Sequence, residues 1–161
     1  MEPIKIPRME KNEYDQLITE EYISRIAFKG EKHPYIAPFF YVFDGKFMYF
    51  LATKYGKKIQ YFQQNPYVSV EVEKYSKDFS NYCFVTLLGR LVEVKDTNEK
   101  KVIREKFVHL INEKNLSKNI LKALGYSPED PIEAIVRDER TLIWKLIDVK
   151  NIIGLGFKNK N

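Results

Sequence analysis

Thr53-Lys54-Tyr55-Gly56-Lys57-Lys58 is the stretch whose residue types could do chemistry. Before it, Phe47, Tyr49 and Leu51 alternate with Met48, Phe50 and Ala52, which reads as an aromatic-rich strand. After it, Ile59 and Phe62 fall at helical spacing until Asn65-Pro66 stops the run. A strand therefore turns at Gly56 into a helix that begins with two lysines. The first amides of a helix have no internal acceptor, and the helix dipole favours an anion beside them. With the Thr53 hydroxyl and the Lys57 and Lys58 ammonium groups, those amides make a phosphate seat. The competing reading is a lysine pair on a solvated helix turn, since the GxxxxGK(S/T) spacing of a P-loop is absent.

Other reactive residue types are sparse. His33 precedes a proline in a turn and His109 sits within a helical stretch. Neither has a carboxylate or cysteine at metal-ligand spacing, so no metal is expected. Cys83 begins an apolar strand without a CxxC partner and reads as a buried, inert thiol. Phe39, Phe40 and Tyr41 could stack on a planar ring or only pack a barrel, and Trp144 is either core or the wall of an interface cleft. Lys158 and Lys160 read as solvated.

The elements that must position these residues follow from pattern. At 161 residues the chain is most simply one domain spanning 1–161, with 1–9 as an extended arm and 155–161 as a flexible tail. Glu10 to Glu20 has a short apolar helical stripe. Strands are expected at Tyr22–Phe28, Tyr35–Phe43, Phe47–Ala52, Tyr67–Lys74, Tyr82–Val94 and Thr141–Val149. Asp44-Gly45 is a hairpin signal. Pro38 implies a bulge, an edge, or a place where something other than a strand lies alongside, and Gly89 implies a bend or a close backbone approach. Helices are expected after the Asp96 or Thr97 cap, over Leu116–Leu124, and as a turn over Pro131–Val136. This is a mainly β architecture, a six-stranded antiparallel barrel with helices outside.

Composition sets broad limits. Hydrophobic residues make up 44% and charged residues 30%, the balance of a soluble globular chain. Eleven Tyr and eleven Phe against seven Gly favour aromatic packing in sheets. The net charge of +5 suits a nucleotide, an acidic partner or simple solubility. One cysteine excludes an intrachain disulfide, and no apolar run reaches membrane-span length; a cytoplasmic protein is expected.

The order of motifs resembles the pyridoxamine-phosphate-oxidase-like FMN-binding split barrel, and within it the nitroimidazole-reductase-like branch. The likeness is carried by SRIAF, PYIAPFFYVFDGKFMYF, GKKIQYFQQNPYVSVEV and YCFVTLLGRLVEV, from Ser24 to about Val94, and more loosely by TLIWKLIDVKNIIG. The resemblance implies a homodimer with flavin mononucleotide between subunits. It places the flavin-contacting strand on Ala37, Pro38, Phe39 and Phe40, the end of the third strand on Leu51, Ala52 and Thr53, and the phosphate on Lys57 and Lys58. Many relatives carry His-Ser or Tyr-Thr where this chain has Leu51-Ala52, so a polar flavin contact is missing. The oxidase's substrate-binding arginine and histidine set is not evident, and pyridoxamine phosphate oxidation is not inferred.

Two classes of function follow. One is an FMN-dependent oxidoreductase acting on a small molecule, in which the cofactor transfers electrons and the protein binds and shields it; FAD, a deazaflavin coenzyme or haem are the alternative cofactors, and storage or sensing the non-catalytic version. No catalytic side chain can be named. The other is a barrel that binds single-stranded nucleic acid by stacking. The small charge excess, and the acids Glu71 and Glu73 among the lysines, make it the poorer fit.

Overall fold

The chain forms six strands, β1 (Ile23–Phe28), β2 (Tyr35–Phe43), β3 (Met48–Thr53), β4 (Tyr67–Tyr75), β5 (Tyr82–Glu93) and β6 (Thr141–Phe157), of which β3 is buried on both faces. The computed structural model describes residues 1–158. Every neighbouring pair is antiparallel, and the strands close into a barrel in the order β1-β2-β3-β6-β5-β4. β4 shows how the pattern works. Val68, Val70 and Val72 point into the barrel, while Ser69, Glu71 and Glu73 point out. There Arg25 of β1 reaches Glu73 at 2.6 Å and Glu71 at 3.4 Å. The barrel interior is aromatic, with Phe28, Phe39, Phe50 and Trp144 among its buried residues. Trp144 is core: its ring lies 5.9 Å from Phe28 and 5.7 Å from Phe39.

The barrel is not uniform. β2 and β3 pair only through Tyr41↔Phe50, Val42↔Tyr49 and Phe43↔Met48. The first part of β2 stays with β1, from Tyr35↔Phe28 to Phe40↔Ile23. Leu51, Ala52 and Thr53 stay with β6 instead, opposite Ile143, Leu142 and Thr141. Two sequential strands thus diverge and leave a slit. Helix α2 (Lys57–Gln64) closes the barrel beside it. Its Ile59, Tyr61 and Phe62 pack on the core, with Phe62 4.8 Å from Trp144 and Tyr61 5.5 Å from Tyr35.

The other helices cover the outside. α1 (Lys11–Glu20) buries Leu17 and Ile18. α3 (Thr97–Glu113), capped by the Asp96 carboxylate accepting from Glu99 N at 2.9 Å, packs with α4 (Asn119–Ala123) and α5 (Ala134–Arg137) on Val42, Tyr49, Leu51 and Ile143. α4 starts later than the sequence pattern places it. Asn115, at φ 52°, ends α3, and Leu116 N donates back to Ile111 O at 3.0 Å, so Leu116 belongs to the close of α3.

The largest difference from the sequence reading lies at the C-terminus. β6 does not stop at Val149, and Leu155, Gly156 and Phe157 are not tail but strand, opposite Phe84, Cys83 and Tyr82. Two sets of partners hold them: the long β5 on one edge, and on the other the N-terminal arm, through Met9 N to Gly154 O at 2.8 Å and Gly156 N to Pro7 O at 3.0 Å. Positions 159–161, Lys160 among them, lie outside the described residues. Among the described residues no helix is long and apolar enough to cross a membrane.

Gly89 marks both features its type suggested. The β5–β6 register shifts between Leu88 and Arg90. A Cβ at Gly89 would meet Ile147 O at 2.8 Å and Leu146 Cδ1 at 3.0 Å. Gly89→Val is therefore expected to destabilise the fold by about 1–3 kcal/mol, read as a lower midpoint in urea denaturation; an unchanged midpoint would show that the backbone yields there freely.

Candidate functional site

The slit between β2 and β3 opens into a cleft of about 440 Å³, inside the ~300–1,000 Å³ range of small-molecule sites. Its walls follow from the divergence of the strands. Ala37, Pro38, Phe39 and Phe40 come from β2, and Leu51, Ala52 and Thr53 from β3. Tyr41 N donates to Tyr22 O, on the β1 side, at 3.0 Å. By two-residue alternation Pro38 turns its backbone the other way, toward the slit, where its missing N–H costs no ladder bond. Of the three environments a strand proline implies, this is the one in which no strand lies alongside.

Lys58 closes one end of the cleft. Gly56, at φ 100°, adopts a left-handed backbone that favours glycine and lets the chain turn from β3 into α2. Helical phase then sends two adjacent lysines different ways. Lys57 is exposed and does not line the cleft. Lys58 folds back, and its Nζ donates to Thr53 Oγ1 at 2.6 Å and to Tyr55 O at 2.9 Å. Both acceptors are uncharged, and among the described residues no carboxylate pairs with it. Burial accordingly lowers its pKa below the ordinary lysine value. The first turn of α2 carries no acidic residue either. An apolar slot thus ends in a half-buried cation that lacks a counter-ion, beside the start of a helix.

Eight of the nine residues singled out from sequence line this cleft: Ala37, Pro38, Phe39, Phe40, Leu51, Ala52, Thr53 and Lys58. Lys57 is the ninth. Sequence reasoning missed Ile23, Tyr35, Ala123 and Leu124. Tyr35 was within reach, being two residues before Ala37 on the same strand face. Ala123 and Leu124 carry no local signal, because α4 reaches the cleft only through tertiary packing. Of the phosphate seat expected from the sequence, the Thr53 hydroxyl accepts from Lys58, and Lys57 does not line the cleft.

The remaining reactive groups lie elsewhere. Cys83 is buried, and burial pushes its thiol pKa up. His33 is exposed, and His109 Nε2 lies 3.4 Å from Glu113 on the α3 surface. Among the described residues no cluster of His, Cys, Asp and Glu is arranged to hold a metal.

The family model described as pyridoxamine 5'-phosphate oxidase matches residues 10–137, most of the chain. The chain belongs to this family. Solved structures similar to this family member share its fold at low identity. An FAD-binding protein from Mesorhizobium loti is 18% identical, with 96% of this chain and 98% of that one covered at a TM-score of 0.67. A candidate 5-nitroimidazole antibiotic resistance protein from Bacteroides thetaiotaomicron is 16% identical, with 95% and 88% covered at 0.61. The flavocytochrome Anf3 from Azotobacter vinelandii is 14% identical, with 94% and 69% covered at 0.63. No curated protein matches this sequence.

The lowered Lys58 pKa gives the site a signature in stability. Between its folded value and the ordinary one near 10.5, the unfolded chain binds more protons at Lys58 than the folded chain does. Stability conferred through this group therefore rises with pH in that window. Paired thermal melts of wild type and Lys58→Met, from pH 7 to 10, should show the balance moving toward wild type as pH rises. A gap independent of pH would mean that burial leaves Lys58 unperturbed.

Proposed function

We propose that this chain binds flavin mononucleotide in the cleft and serves as a flavin-dependent oxidoreductase acting on a small molecule. The observation that carries the reading is the apolar slot ending in Lys58, a half-buried ammonium with no acid beside it. A planar apolar ring with an anionic tail is the ligand shape that both ends accept, and that is a phosphorylated flavin. The flavin-binding relatives of the same fold support the wider class, and the Mesorhizobium loti protein makes FAD the second ligand to try.

When bound, the flavin supplies the two-electron chemistry. The roles left to the chain are to bind, orient and exclude water. Phe39, Leu51, Ala52 and Leu124 give apolar walls that keep water from the ring. The β2 edge from Tyr35 to Phe40, unpaired on the β3 side, can present main-chain groups to the ring's polar rim. Lys58 and the first amides of α2 take the phosphate. Tyr35 and Lys58 are the ionisable side chains lining the cleft, so it holds no carboxylate, imidazole or thiol for acid–base work.

Assembly as a homodimer is part of the proposal. Ile36, Ala27, Ser69, Leu88 and Asn151 stand in one cross-strand row on the outer face of the barrel. Ile36 is 62% exposed and the nearby Tyr67 63%. A groove of about 550 Å³ runs over this face past Pro34, Tyr67 and Leu88. The face adjoins the cleft through β2, so a second copy laid on it would cover apolar surface and wall the cofactor together. The groove lies open on the barrel surface and has the Asp148 carboxylate among its lysines Lys29 and Lys150, whereas the cleft is lined by one cation and no acid, which is why the cofactor is assigned to the cleft.

Flavin fluorescence titration tests the binding. Wild type should bind FMN and bind riboflavin, which lacks the phosphate, more weakly. Lys58→Ala should weaken FMN by roughly tenfold or more, since one charge-assisted hydrogen bond is worth about 1.5–3 kcal/mol. Lys57→Ala should cost less, and riboflavin should be little changed by either. Equal losses for both ligands would make Lys58 structural, and no binding by wild type would end the flavin reading. Light scattering of the flavin-loaded protein at micromolar concentration should give a dimer mass; monomer alone would end the shared-cleft arrangement.

A further inference from the structure

Arg104 of α3 is the charged side chain that the described fold buries, at 2% exposure. Its Nη1 donates to Thr141 Oγ1 at 2.8 Å and to Ile135 O at 3.2 Å, and its Nη2 donates to Thr141 O at 2.7 Å. Its Nε has no hydrogen-bond partner, and among the described residues no carboxylate lies within ion-pair distance; Glu139, which pairs with Lys100, acts on it only through space. Burying a guanidinium without an acid is costly, and an apolar side chain of similar volume would fill the same space. Packing alone therefore does not account for an arginine here.

Its bonds lead to the cleft. Two of the three end on Thr141, the first residue of β6, which is also buried. Thr141 pairs directly with Thr53, the last residue of β3. Residues so paired lie about 4.5–5.5 Å apart between Cα atoms. Thr53 Oγ1 accepts from Lys58 Nζ at 2.6 Å. On its other side Thr53 meets the turn after α4: a Cβ on Gly125 would stand 3.7 Å from Thr53 Cγ2. The third bond, to Ile135 O, ties in α5. The path Arg104–Thr141–Thr53–Lys58 is continuous and crosses the barrel wall from the helical layer to the cationic end of the cleft.

We propose that Arg104 is a positioning residue for this cleft. It fixes the paired ends of β3 and β6, so that Thr53 holds the Lys58 ammonium toward a bound anion. Its removal disturbs recognition of the anionic tail and leaves recognition of the ring alone. The identity of that tail as a flavin phosphate rests on the function proposed above.

The experiment compares wild type, Arg104→Met, Arg104→Lys and Thr141→Val by flavin fluorescence titration with FMN and riboflavin, alongside thermal melts. Arg104→Met should weaken FMN by about tenfold, the scale of one well-placed hydrogen bond. Riboflavin affinity should stay within about twofold of wild type. Arg104→Lys, which keeps a donor on a stem long enough to reach Thr141, should recover part of the loss. Equal losses for both ligands, or an unchanged FMN to riboflavin ratio in folded Arg104→Met, would make Arg104 a structural residue only and overturn the inference. Should Arg104→Met not fold, Thr141→Val removes one acceptor at nearly constant volume, and the same ratio decides the matter. Wild type that binds neither ligand overturns the flavin reading and this inference with it; wild type that prefers FMN, with variants that do so equally, overturns this inference alone.

Discussion

Everything near the cleft depends on β2 and β3 parting after three residue pairs. A hairpin that stayed paired to its end would leave no slit. What holds the strands apart is packing, not the turn between them. Phe39 turns inward to meet Phe28, Phe50 and Trp144. α2 then drives Phe62 against Trp144 and Tyr61 against Tyr35. Re-pairing the strands would mean withdrawing that wedge from the core, and burying one large aromatic side chain contributes about 1.5–3 kcal/mol. The slit is therefore a stable feature of the barrel.

The wedge also sets the charge at the site. α2 has no fully buried residue, yet its apolar side is pinned to the barrel by three side chains. That fixes the helix's rotation, and rotation decides which of two consecutive lysines faces the cleft. Lys58 does, and its two acceptors are Thr53 at the end of β3 and Tyr55 in the turn that leads into the helix. The cation is thus held by the segment that positions the helix. A change in the docking of Phe62, four residues along the same helix, would move Lys58 with it.

How much of this could be read from the residues varied with the range of the cause. Strand positions and the Asp44-Gly45 hairpin were legible because alternation and turn chemistry are local. β2 and α2 span the very residues the pattern marked. Of the cleft residues, Thr53 and Lys58 were legible from the strand-to-helix pattern, and Ala37, Pro38, Phe39, Phe40, Leu51 and Ala52 were placed by the family resemblance, whose motifs fall on β2 and β3. The second half of β6 was not legible. Ile152 and Ile153 are adjacent and both exposed, Asp148 takes φ 53°, and the segment is a strand only because β5 and the N-terminal arm supply partners. The choice between Lys57 and Lys58 was hidden for the same reason, since helical phase relative to a barrel is a tertiary fact. Ala123 and Leu124 join the cleft from a helix that carries no mark of it.

Two buried or half-buried cations stand on one path, Lys58 in the cleft and Arg104 behind it, and among the described residues neither makes an ion pair with an acid, although the Glu139 carboxylate acts on Arg104 through space. Carboxylates are not scarce in this chain. Arg25 has two, Lys74 has two, and Lys100 meets Glu139 on the surface near Arg104. Lys58 and Arg104 are thus left without a direct carboxylate partner in a chain where other partly buried cations, such as Lys100 and Lys145, have one. Such an arrangement is unfavourable for the free chain, because each charge is partly stripped of water without the return of a direct ion pair. It becomes favourable once an anion enters, since the same low solvation strengthens the attraction. On the function proposed above, the fold gives up some stability of the empty state at Lys58 and Arg104 in return for affinity at one end of the cleft.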